Sequence, residues 1–319
     1  MSTWKILVND GLEESGLNAL REAGFVVDTQ KVPQEELKLK LQEYHGIIVR
    51  SATKVRKEQI DSCKGLKFIA RGGVGMDNID VEYAVSKGIK VINTPAASSR
   101  SVAELAMGHI LTLTRSLQET NRSLKDESSF SSLKKKLASS TEVNGKTLVL
   151  LGFGRIGSEL AKMAVAIGMK VKVVDPFISA AELQMNIYNN KFSVKLELIS
   201  KQQALEEADY ISLHAPFSGE AILGYEEFKI IKHSSILINT SRGENIDESA
   251  LLDALNSNKL AAAGLDVFHN EPNINPDLLV HPRISLSPHI GASTKEAQER
   301  VAEELVEKIM ELRTQLNAI

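Results

Sequence analysis

The stretch "TLVLLGFGRIG", residues 147–157 of 319, encodes a strand, a glycine-rich turn and the start of a helix in direct succession. Its glycines, Gly152, Gly154 and Gly157, form the pattern G-x-G-x-x-G. The first permits a tight turn, the second lets a pyrophosphate approach the backbone, and the third lets the helix pack on the strand. A second strand, "VKVVD", ends in Asp175, 23 positions after Gly152. This combination predicts a dinucleotide-binding unit that begins only near the middle of the chain.

The residues around this turn indicate which dinucleotide the unit binds. Arg155 and Ile156 open the helix, whose N–H groups and positive dipole end suit phosphates. Asp175 can accept hydrogen bonds from ribose hydroxyls and would repel a 2′-phosphate, and Pro176 and Phe177 bring no cation to hold one. We therefore expect NAD rather than NADP. The alternative interpretation is a purely structural glycine turn.

The rest of the chain alternates between strand and helix patterns. The first hundred residues contain five short apolar runs, "KILVND", "FVVDT", "GIIVRS", "LKFIARGG" and "KVINTP", separated by helical patterns. Residues 98–125 read as one long helix, and the polar, serine-rich residues after it as a surface connection. Strand and helix patterns then resume, and a long amphipathic helix covers about 292–317. Such alternation predicts parallel sheets with helices on both faces.

The expected fold class is therefore α/β, with two doubly wound parallel-sheet domains. We expect a Rossmann NAD-binding domain, residues 98–290, inserted into a flavodoxin-like substrate-binding domain, residues 1–97 and 291–319. The two long helices would be the crossings between these domains. An insertion of this kind explains why the glycine turn lies in mid-chain.

Composition argues against several classes of function. The formal net charge of −3 and the pI of about 6.2 give no electrostatic reason to expect nucleic acid or a membrane as a partner. Cys63 is the only cysteine, so no internal disulfide is possible and we expect a cytoplasmic protein. We find no secretory signal, no apolar run near the roughly 20 residues that span a bilayer, and no metal-site pattern.

Three motifs in the second half place chemically active side chains just after predicted strands. "LINTSRGENID" contains Arg242, "AGLDVFHNEP" contains Asp266 and Glu271, and "LSPHIGAST" contains His289. Ligands of doubly wound sheets bind at the carboxyl ends of the strands. We therefore expect these side chains to face the same crevice as the glycine turn.

Together with "VRSATKV", "RGGVGMDNID" and "VINTPAASSRSVAEL", these motifs make the chain resemble the D-isomer-specific 2-hydroxyacid dehydrogenases over nearly its whole length. The resemblance is greatest to the phosphoglycerate dehydrogenases of that family. It implies that His289 is the acid–base group, Glu271 its partner and Arg242 the substrate anchor. It also implies a homodimer formed through the NAD-binding domains. These residue types suit hydride transfer from a hydroxy acid, because a histidine can take the hydroxyl proton and a guanidinium can hold a carboxylate.

The same resemblance extends the predicted cofactor site. It implies that Asp266 hydrogen-bonds the nicotinamide carboxamide. It adds further cofactor contacts at His214, Thr240, Arg242, His289 and Gly291. For His214, a purely structural role is an equally good interpretation.

The substrate's other end falls to the first domain. Arg50 and Arg71 are expected at strand ends facing the cleft, where arginines suit a phosphate, although either could be a surface arginine. Val74, Gly75 and Asn78 form the adjacent loop, whose N–H groups could hold the substrate carboxylate. With Arg242 and His289, these residues make up the predicted substrate site.

The resulting hypothesis is NAD-dependent oxidation of D-3-phosphoglycerate to 3-phosphohydroxypyruvate, the first step of serine biosynthesis. The alternatives are a hydroxypyruvate or glyoxylate reductase of the same family and a non-enzymatic NAD-binding regulator resembling the corepressors. Trp4 is the only tryptophan, whereas reductases of the family often carry an aromatic residue in the connection after the long helix. The sequence leaves no room after its last helix for the serine-sensing domains of longer relatives, so we expect no such regulation.

Overall fold

The computed structural model describes residues 3–317, which form two compact units. The first unit holds the described residues up to 99 and from 292 onward, and the second comprises Arg100–Gly291. None of the helices in the described part of the chain has the length and apolarity needed to cross a membrane.

The first unit is a five-stranded parallel sheet in the order β2-β1-β3-β4-β5, the doubly wound order of the predicted flavodoxin-like fold. Its strands are β1 (Lys5–Val8), β2 (Val26–Asp28), β3 (Gly46–Val49), β4 (Phe68–Arg71) and β5 (Lys90–Asn93). Its helices are α1 (Glu14–Glu22), α2 (Gln34–Lys40), α3 (Lys57–Ser62), α4 (Val81–Ser86) and α13 (Lys295–Asn317), with a 3-10 turn at Leu41–Glu43.

Both faces of this sheet are buried, as continuous apolar strands require. Ile6 and Val8 pack with residues of α1 and α13 on one face, whereas Leu7 packs with residues of α2 and α3 on the other. At Gly16 a Cβ atom would lie 2.8 Å from the Ala302 Cβ, so this glycine lets α1 approach α13 closely. The last helix of the chain therefore completes the core of the first unit.

The second unit contains an eight-stranded sheet in the order β13-β12-β11-β10-β6-β7-β9-β8. Its strands are β6 (Thr147–Leu151), β7 (Lys170–Val174), β8 (Ala181–Ile187), β9 (Asn190–Leu198), β10 (Tyr210–Leu213), β11 (Ile236–Asn239), β12 (Ala262–Leu265) and β13 (Ile284–Leu286). Its helices are α5 (Ser99–Thr114), α6 (Leu117–Ser123), α7 (Glu127–Lys136), α8 (Arg155–Ala166), α9 (Lys201–Glu207), α10 (Tyr225–Ile230), α11 (Glu248–Asn256) and α12 (Pro276–Val280), with 3-10 turns at Leu137–Ser139 and Gly243–Asn245.

Strand order reverses direction at β6, which pairs with β7 on one side and β10 on the other. Seven strands run parallel, and β8 alone is antiparallel, to β9. Helices α5 and α8 cover one face, and α9, α10 and α11 the other. The predicted doubly wound α/β architecture is thus confirmed, with the topological switch point beside β6, where such sheets bind ligands.

The first long helix was predicted to run unbroken over residues 98–125, and this prediction was wrong. Helix α5 ends at Thr114, and Ser116 adopts the left-handed conformation, with φ of 50°, before α6 begins. The serine-rich segment after it, predicted as a surface connection, instead forms α7. Asp126 accepts from Ser129 N and the Ser129 hydroxyl binds the Asp126 backbone, so local capping overcomes the low helix propensity of serine.

A hairpin of β8 and β9 follows β7. In β8 the side chains of Ala181, Leu183 and Met185 are buried and alternate with exposed polar ones, which is the strand period. Tyr188, with φ of 52°, makes the turn. The hairpin extends the sheet beyond the strand that ends in the predicted ribose-binding acid.

Candidate active site

The glycine turn after β6 is a close-packed corner. Gly152 has a φ of 101°, and a Cβ there would lie 2.9 Å from Ala215 N. A Cβ at Gly157 would lie 2.5 Å from the Gly152 carbonyl oxygen, so this glycine lets α8 start directly beneath the turn. A Cβ at Gly154 would meet no described atom within 4 Å. The middle glycine therefore borders open space, where the backbone is accessible to a ligand.

Asp175 connects the end of β7 to this turn. Its Oδ2 accepts a hydrogen bond from Phe153 N at 2.8 Å, and its Oδ1 accepts one from Phe177 N at 2.9 Å. The carboxylate therefore helps to shape the glycine turn and retains lone pairs for ribose hydroxyls. Arg155 is exposed and Ile156 half-buried at the first turn of α8, whose N–H groups lack intrahelical partners.

Two buried polar atoms among the predicted cofactor contacts fit a bound ligand. Within the described residues, His214 Nδ1 and Thr240 Oγ1 are buried and have no hydrogen-bond partner. Burial lowers the pKa of His214 to about 4, so its ring is neutral at physiological pH, and its Nε2 lies 2.9 Å from Ser212 Oγ. Because unpaired buried polar atoms are costly, these two positions suit a ligand that supplies the missing hydrogen bonds. The residues present therefore fit a dinucleotide.

His289 and Glu271 form a direct pair. The His289 Nδ1 lies 2.6 Å from Glu271 Oε2, while Glu271 Oε1 accepts from Phe268 N at 2.8 Å. The hydrogen bond to Glu271 raises the pKa of His289 against the opposing effect of burial. Burial would raise the pKa of Glu271, but the hydrogen bonds from His289 and Phe268 outweigh it and lower that pKa. The pair thus holds a histidine whose other nitrogen, Nε2, is available for proton transfer.

Arg242 follows β11 and adds a positive charge to this pair. Its charge lowers the pKa of both Glu271 and His289, so it lies within electrostatic range of each. Its Nη1 donates to Ser241 O at 2.7 Å. A Cβ at Gly243 would lie 2.0 Å from the Phe268 carbonyl carbon, so this glycine lets the loop after β11 approach the loop after β12. The three predicted catalytic side chains therefore come together at the carboxyl ends of β11, β12 and β13.

Asp266 is almost fully buried and binds the loop that carries the histidine. Its Oδ1 accepts from Ser287 Oγ and Ile290 N, and its Oδ2 accepts from Gly291 N. Its backbone oxygen accepts from His289 N at 2.8 Å. Asp266 was predicted to contact a nicotinamide carboxamide. In the structure its carboxylate accepts hydrogen bonds from residues 287, 290 and 291 and so holds this loop.

The predicted substrate residues of the first unit lie at the ends of β3 and β4. The Asn78 Nδ2 donates to the backbone oxygens of Arg50 and Thr53, and Arg71 Nε donates to Asn78 Oδ1 at 3.0 Å. Asn78 is buried, and its side chain links the Arg50 backbone to the Arg71 guanidinium. Beside it, Val74 is exposed and Gly75 half-buried.

Sequence reasoning missed several polar residues of this region. Asn245 Nδ2 donates to Ala215 O and Ser241 Oγ, and so joins the loops after β10 and β11. His109, on α5, contacts Ser285 and Ser287. The sequence signal for His109 was a histidine among the apolar residues of a predicted helix. Because a buried imidazole requires hydrogen-bond partners, such a position predicts polar residues nearby. Within residues 3–317, no group of three or more His, Cys, Asp or Glu is arranged to hold a metal ion.

Comparison with known proteins adds independent information. Residues 107–291 match the model of the D-isomer specific 2-hydroxyacid dehydrogenase NAD-binding domain. A hydroxypyruvate reductase from Thermotoga maritima is 42% identical over 97% of this chain and 98% of its own length. A D-3-phosphoglycerate dehydrogenase from Methanocaldococcus jannaschii is 40% identical over 96% of this chain, which spans 56% of that relative. A solved protein from Thermus thermophilus, 31% identical, superposes with a TM-score of 0.83 over 98% of this chain and 97% of its own.

Proposed function

Because the chain belongs to the D-isomer-specific 2-hydroxyacid dehydrogenase family, we propose that it oxidises D-3-phosphoglycerate to 3-phosphohydroxypyruvate with NAD, as in serine biosynthesis. The observation that supports oxidation of a 2-hydroxy acid is the His289–Glu271 pair beside Arg242. The observation that supports a phosphorylated substrate is the pair Arg50 and Arg71 at neighbouring strand ends, where Asn78 contacts the Arg71 guanidinium and the Arg50 backbone.

In the proposed mechanism His289 Nε2 takes the proton from the substrate hydroxyl, while Glu271 holds Nδ1 and stabilises the imidazolium that forms. Arg242 holds the substrate carboxylate through its planar guanidinium. Bound NAD supplies the acceptor for the hydride that leaves the substrate. In the reverse direction the imidazolium returns its proton to the substrate carbonyl oxygen. A general acid–base group typically contributes a factor of about 10²–10⁴ to the rate.

We propose NAD rather than NADP as the working cofactor. Asp175 presents a carboxylate at the end of β7, where an adenosine ribose binds in folds of this kind. A 2′-phosphate would meet that negative charge, and Phe177, two residues later, is 92% exposed and offers no cation. We expect kcat/KM to be far higher with NADH than with NADPH.

The proposed functional unit is a homodimer formed through the second unit. Three large apolar side chains are at least half exposed here: Leu117 in α6, Leu124 just after it and Phe130 in α7. Large apolar side chains exposed within one short segment are candidates for an interaction surface. The partner that the family resemblance implies is a second copy of the chain.

A hydroxypyruvate reductase is the second candidate, because the Thermotoga maritima relative bears that name and matches this chain from end to end. The deciding experiment measures NADH oxidation with phosphohydroxypyruvate, hydroxypyruvate and glyoxylate. A higher kcat/KM for the phosphorylated compound supports the proposal, and an equal or higher value for either unphosphorylated compound rejects it. Binding of NADH without turnover of any of the three would favour a non-enzymatic regulator.

The variant Arg50→Ala tests the phosphate contact. We expect its KM for phosphohydroxypyruvate to rise by about 10–100-fold, as for loss of a hydrogen bond to a charged group, with little change for hydroxypyruvate. Arg56→Ala is the matched control, because Arg56 belongs to the same unit and forms a partly exposed ion pair with Asp80. Equal effects of Arg50→Ala on both substrates would contradict a phosphate contact.

A further inference from the structure

A buried row of polar side chains leads from α6 to the loop after β13. Gln118 Nε2 donates to Ser285 Oγ at 2.6 Å, and Ser285 Oγ lies 2.7 Å from His109 Nδ1. The His109 Nε2 lies 3.0 Å from Ser287 Oγ, and Ser287 Oγ donates to Asp266 Oδ1 at 2.7 Å. All of these residues belong to the second unit, and all except Gln118 are buried.

The direction of these hydrogen bonds follows from the donors available. Ser287 gives its only hydroxyl proton to the carboxylate of Asp266, so it accepts from His109 and the imidazole proton lies on Nε2. The free Nδ1 then accepts from Ser285, which itself accepts from Gln118. Every bond in the row therefore points the same way, with a neutral imidazole at its centre. Burial lowers the pKa of His109, which keeps the ring neutral.

The space around the imidazole is fitted to it. At Gly264, in β12, a Cβ atom would lie 2.8 Å from the Cβ of His109 and 3.0 Å from its Cγ. Only glycine at position 264 therefore lets the His109 side chain pack this closely against β12. A histidine that merely filled a core would require no such gap and no aligned partners.

The row ends on the carboxylate that holds the histidine loop. Asp266 accepts from the backbone N–H groups of Ile290 and Gly291, and its backbone oxygen accepts from His289 N. His289 itself has a φ of 53°, a left-handed conformation that residues other than glycine adopt at a cost. Hydrogen bonds to residues 289, 290 and 291 hold the loop in this conformation.

We propose that His109 is a positioning residue for the reaction, acting through Ser287 and Asp266 to keep the His289 ring directed at Glu271. The inference rests on the proposed role of His289 as acid–base. His109 orients Asp266 by fixing the hydroxyl that occupies one of its oxygens. Without His109, the Ser287 hydroxyl is no longer fixed on Asp266. The carboxylate then loses one of the three hydrogen bonds that it accepts, and the loop gains freedom to turn the His289 ring away from Glu271.

The test compares His109→Leu with His109→Gln, because a glutamine amide keeps an acceptor and a donor side by side and leucine keeps neither. The first readout is an NMR titration of the His289 ring, assigned with His289→Ala, which requires no turnover. We expect the pKa of His289 to fall toward its ordinary value near 6.5 in His109→Leu and to stay raised in His109→Gln. The Ser287→Ala variant, which cuts the same link, should repeat the His109→Leu result.

Turnover supplies the second readout. In His109→Leu we expect kcat to fall about tenfold, as for a small misplacement of a reacting group, with the NADH dissociation constant within twofold of the native value. Thr114→Val is the matched control, because Thr114 is a buried residue of α5 that hydrogen-bonds Tyr210 outside the row. It should change neither readout.

The outcomes separate this inference from the proposed function. An unchanged His289 titration in both His109→Leu and Ser287→Ala overturns the positioning role, whatever the turnover. Absence of turnover in the native protein rejects the proposed function, yet a shifted titration would still establish that His109 acts on the loop. A loss of thermal stability alone, with kcat and titration unchanged, would also overturn the positioning role.

Discussion

At the scale of single residues, the behaviour of His289 depends on what each of its nitrogens meets. Glu271 binds Nδ1 at 2.6 Å and favours the protonated ring, while Arg242 opposes protonation. Since the net effect raises the pKa, the ring keeps its proton to higher pH than an isolated histidine. The carboxylate therefore favours the protonated ring that the proposed mechanism needs for reduction, and it would stabilise the imidazolium formed when the ring takes up a proton in oxidation.

Glu271→Gln tests this balance. Without the carboxylate the pKa of His289 falls, so the acid limb of the oxidation profile, which needs a neutral ring, moves to lower pH. The alkaline limb of the reduction profile, which needs a protonated ring, also moves to lower pH, and reduction at pH 8 should slow by about 10–100-fold. Profiles of kcat/KM against pH in both directions measure this.

Glu248→Gln is the control for that substitution. Glu248 accepts from the backbone N–H of His269 on the same loop. Its loss should leave both profiles where they are. Coincident native and Glu271→Gln profiles would mean that the carboxylate does not set the protonation of His289.

At the scale of elements, two glycines of the turn between β6 and α8 have different roles: Gly157 permits close packing, whereas Gly154 leaves the backbone accessible to a ligand. Gly157→Ala places a Cβ 2.5 Å from the Gly152 oxygen, so the helix must shift, at a cost of about 1–3 kcal/mol. Gly154→Ala meets no described atom within 4 Å and leaves the fold undisturbed. We expect the first substitution to lower Tm by several degrees, and the second to weaken NADH binding at unchanged Tm.

Calorimetry and NADH fluorescence titration distinguish these effects, with each glycine variant serving as the control for the other. The expectation depends on the pyrophosphate lying against Gly154. Unaltered NADH affinity in Gly154→Ala would exclude that position for the phosphates.

The elements predicted correctly from the sequence were those whose pattern is local. Runs such as "TLVLL" and "GIIV" are short and almost wholly apolar, and they became buried parallel strands. The break at Ser116 carried no local signal, because a serine in the left-handed conformation is uncommon and its neighbours do not announce it. The strand β8 had a recognisable pattern, the alternation of apolar Ala181, Leu183 and Met185 with polar residues. It follows β7, however, where an alternating α/β fold usually has a helix.

The candidate site divides in the same way. Arg242, Glu271 and His289 were predicted because each follows a strand in a dense motif, and their roles were taken from the family resemblance. His109 could not be, since its partners are 176 and 178 positions away and its role depends on which helix faces which strands. Long-range polar contacts become visible only when the sheet order is known.

At the scale of the whole molecule, the order of the chain explains the mid-chain glycine turn. The described residues up to 99 and from 292 onward form one unit, and Arg100–Gly291, with the glycine turn and Arg242, Glu271 and His289, form the other. The residues predicted to bind the cofactor and to act as acid and base therefore lie on a unit that is continuous in sequence. The residues predicted to read the substrate phosphate lie on a unit that is completed by the last helix.

The proposed homodimer contact lies on α6 and α7 of the second unit, and Phe130→Glu tests it. Phe130 is 55% exposed, and a charge there would be buried without a partner in any dimer that covers these helices. Stable dimers bury at least about 1,000 Å² of surface, so one uncompensated charge near the centre weakens them strongly.

We expect light scattering at micromolar concentration to give twice the 34.9 kDa chain mass for the native protein and the single-chain mass for the Phe130→Glu variant. Leu39→Glu, on the first unit and 71% exposed, should remain dimeric. A native protein of single-chain mass would reject the homodimer, and a Phe130→Glu variant that stays dimeric would place the contact away from these helices.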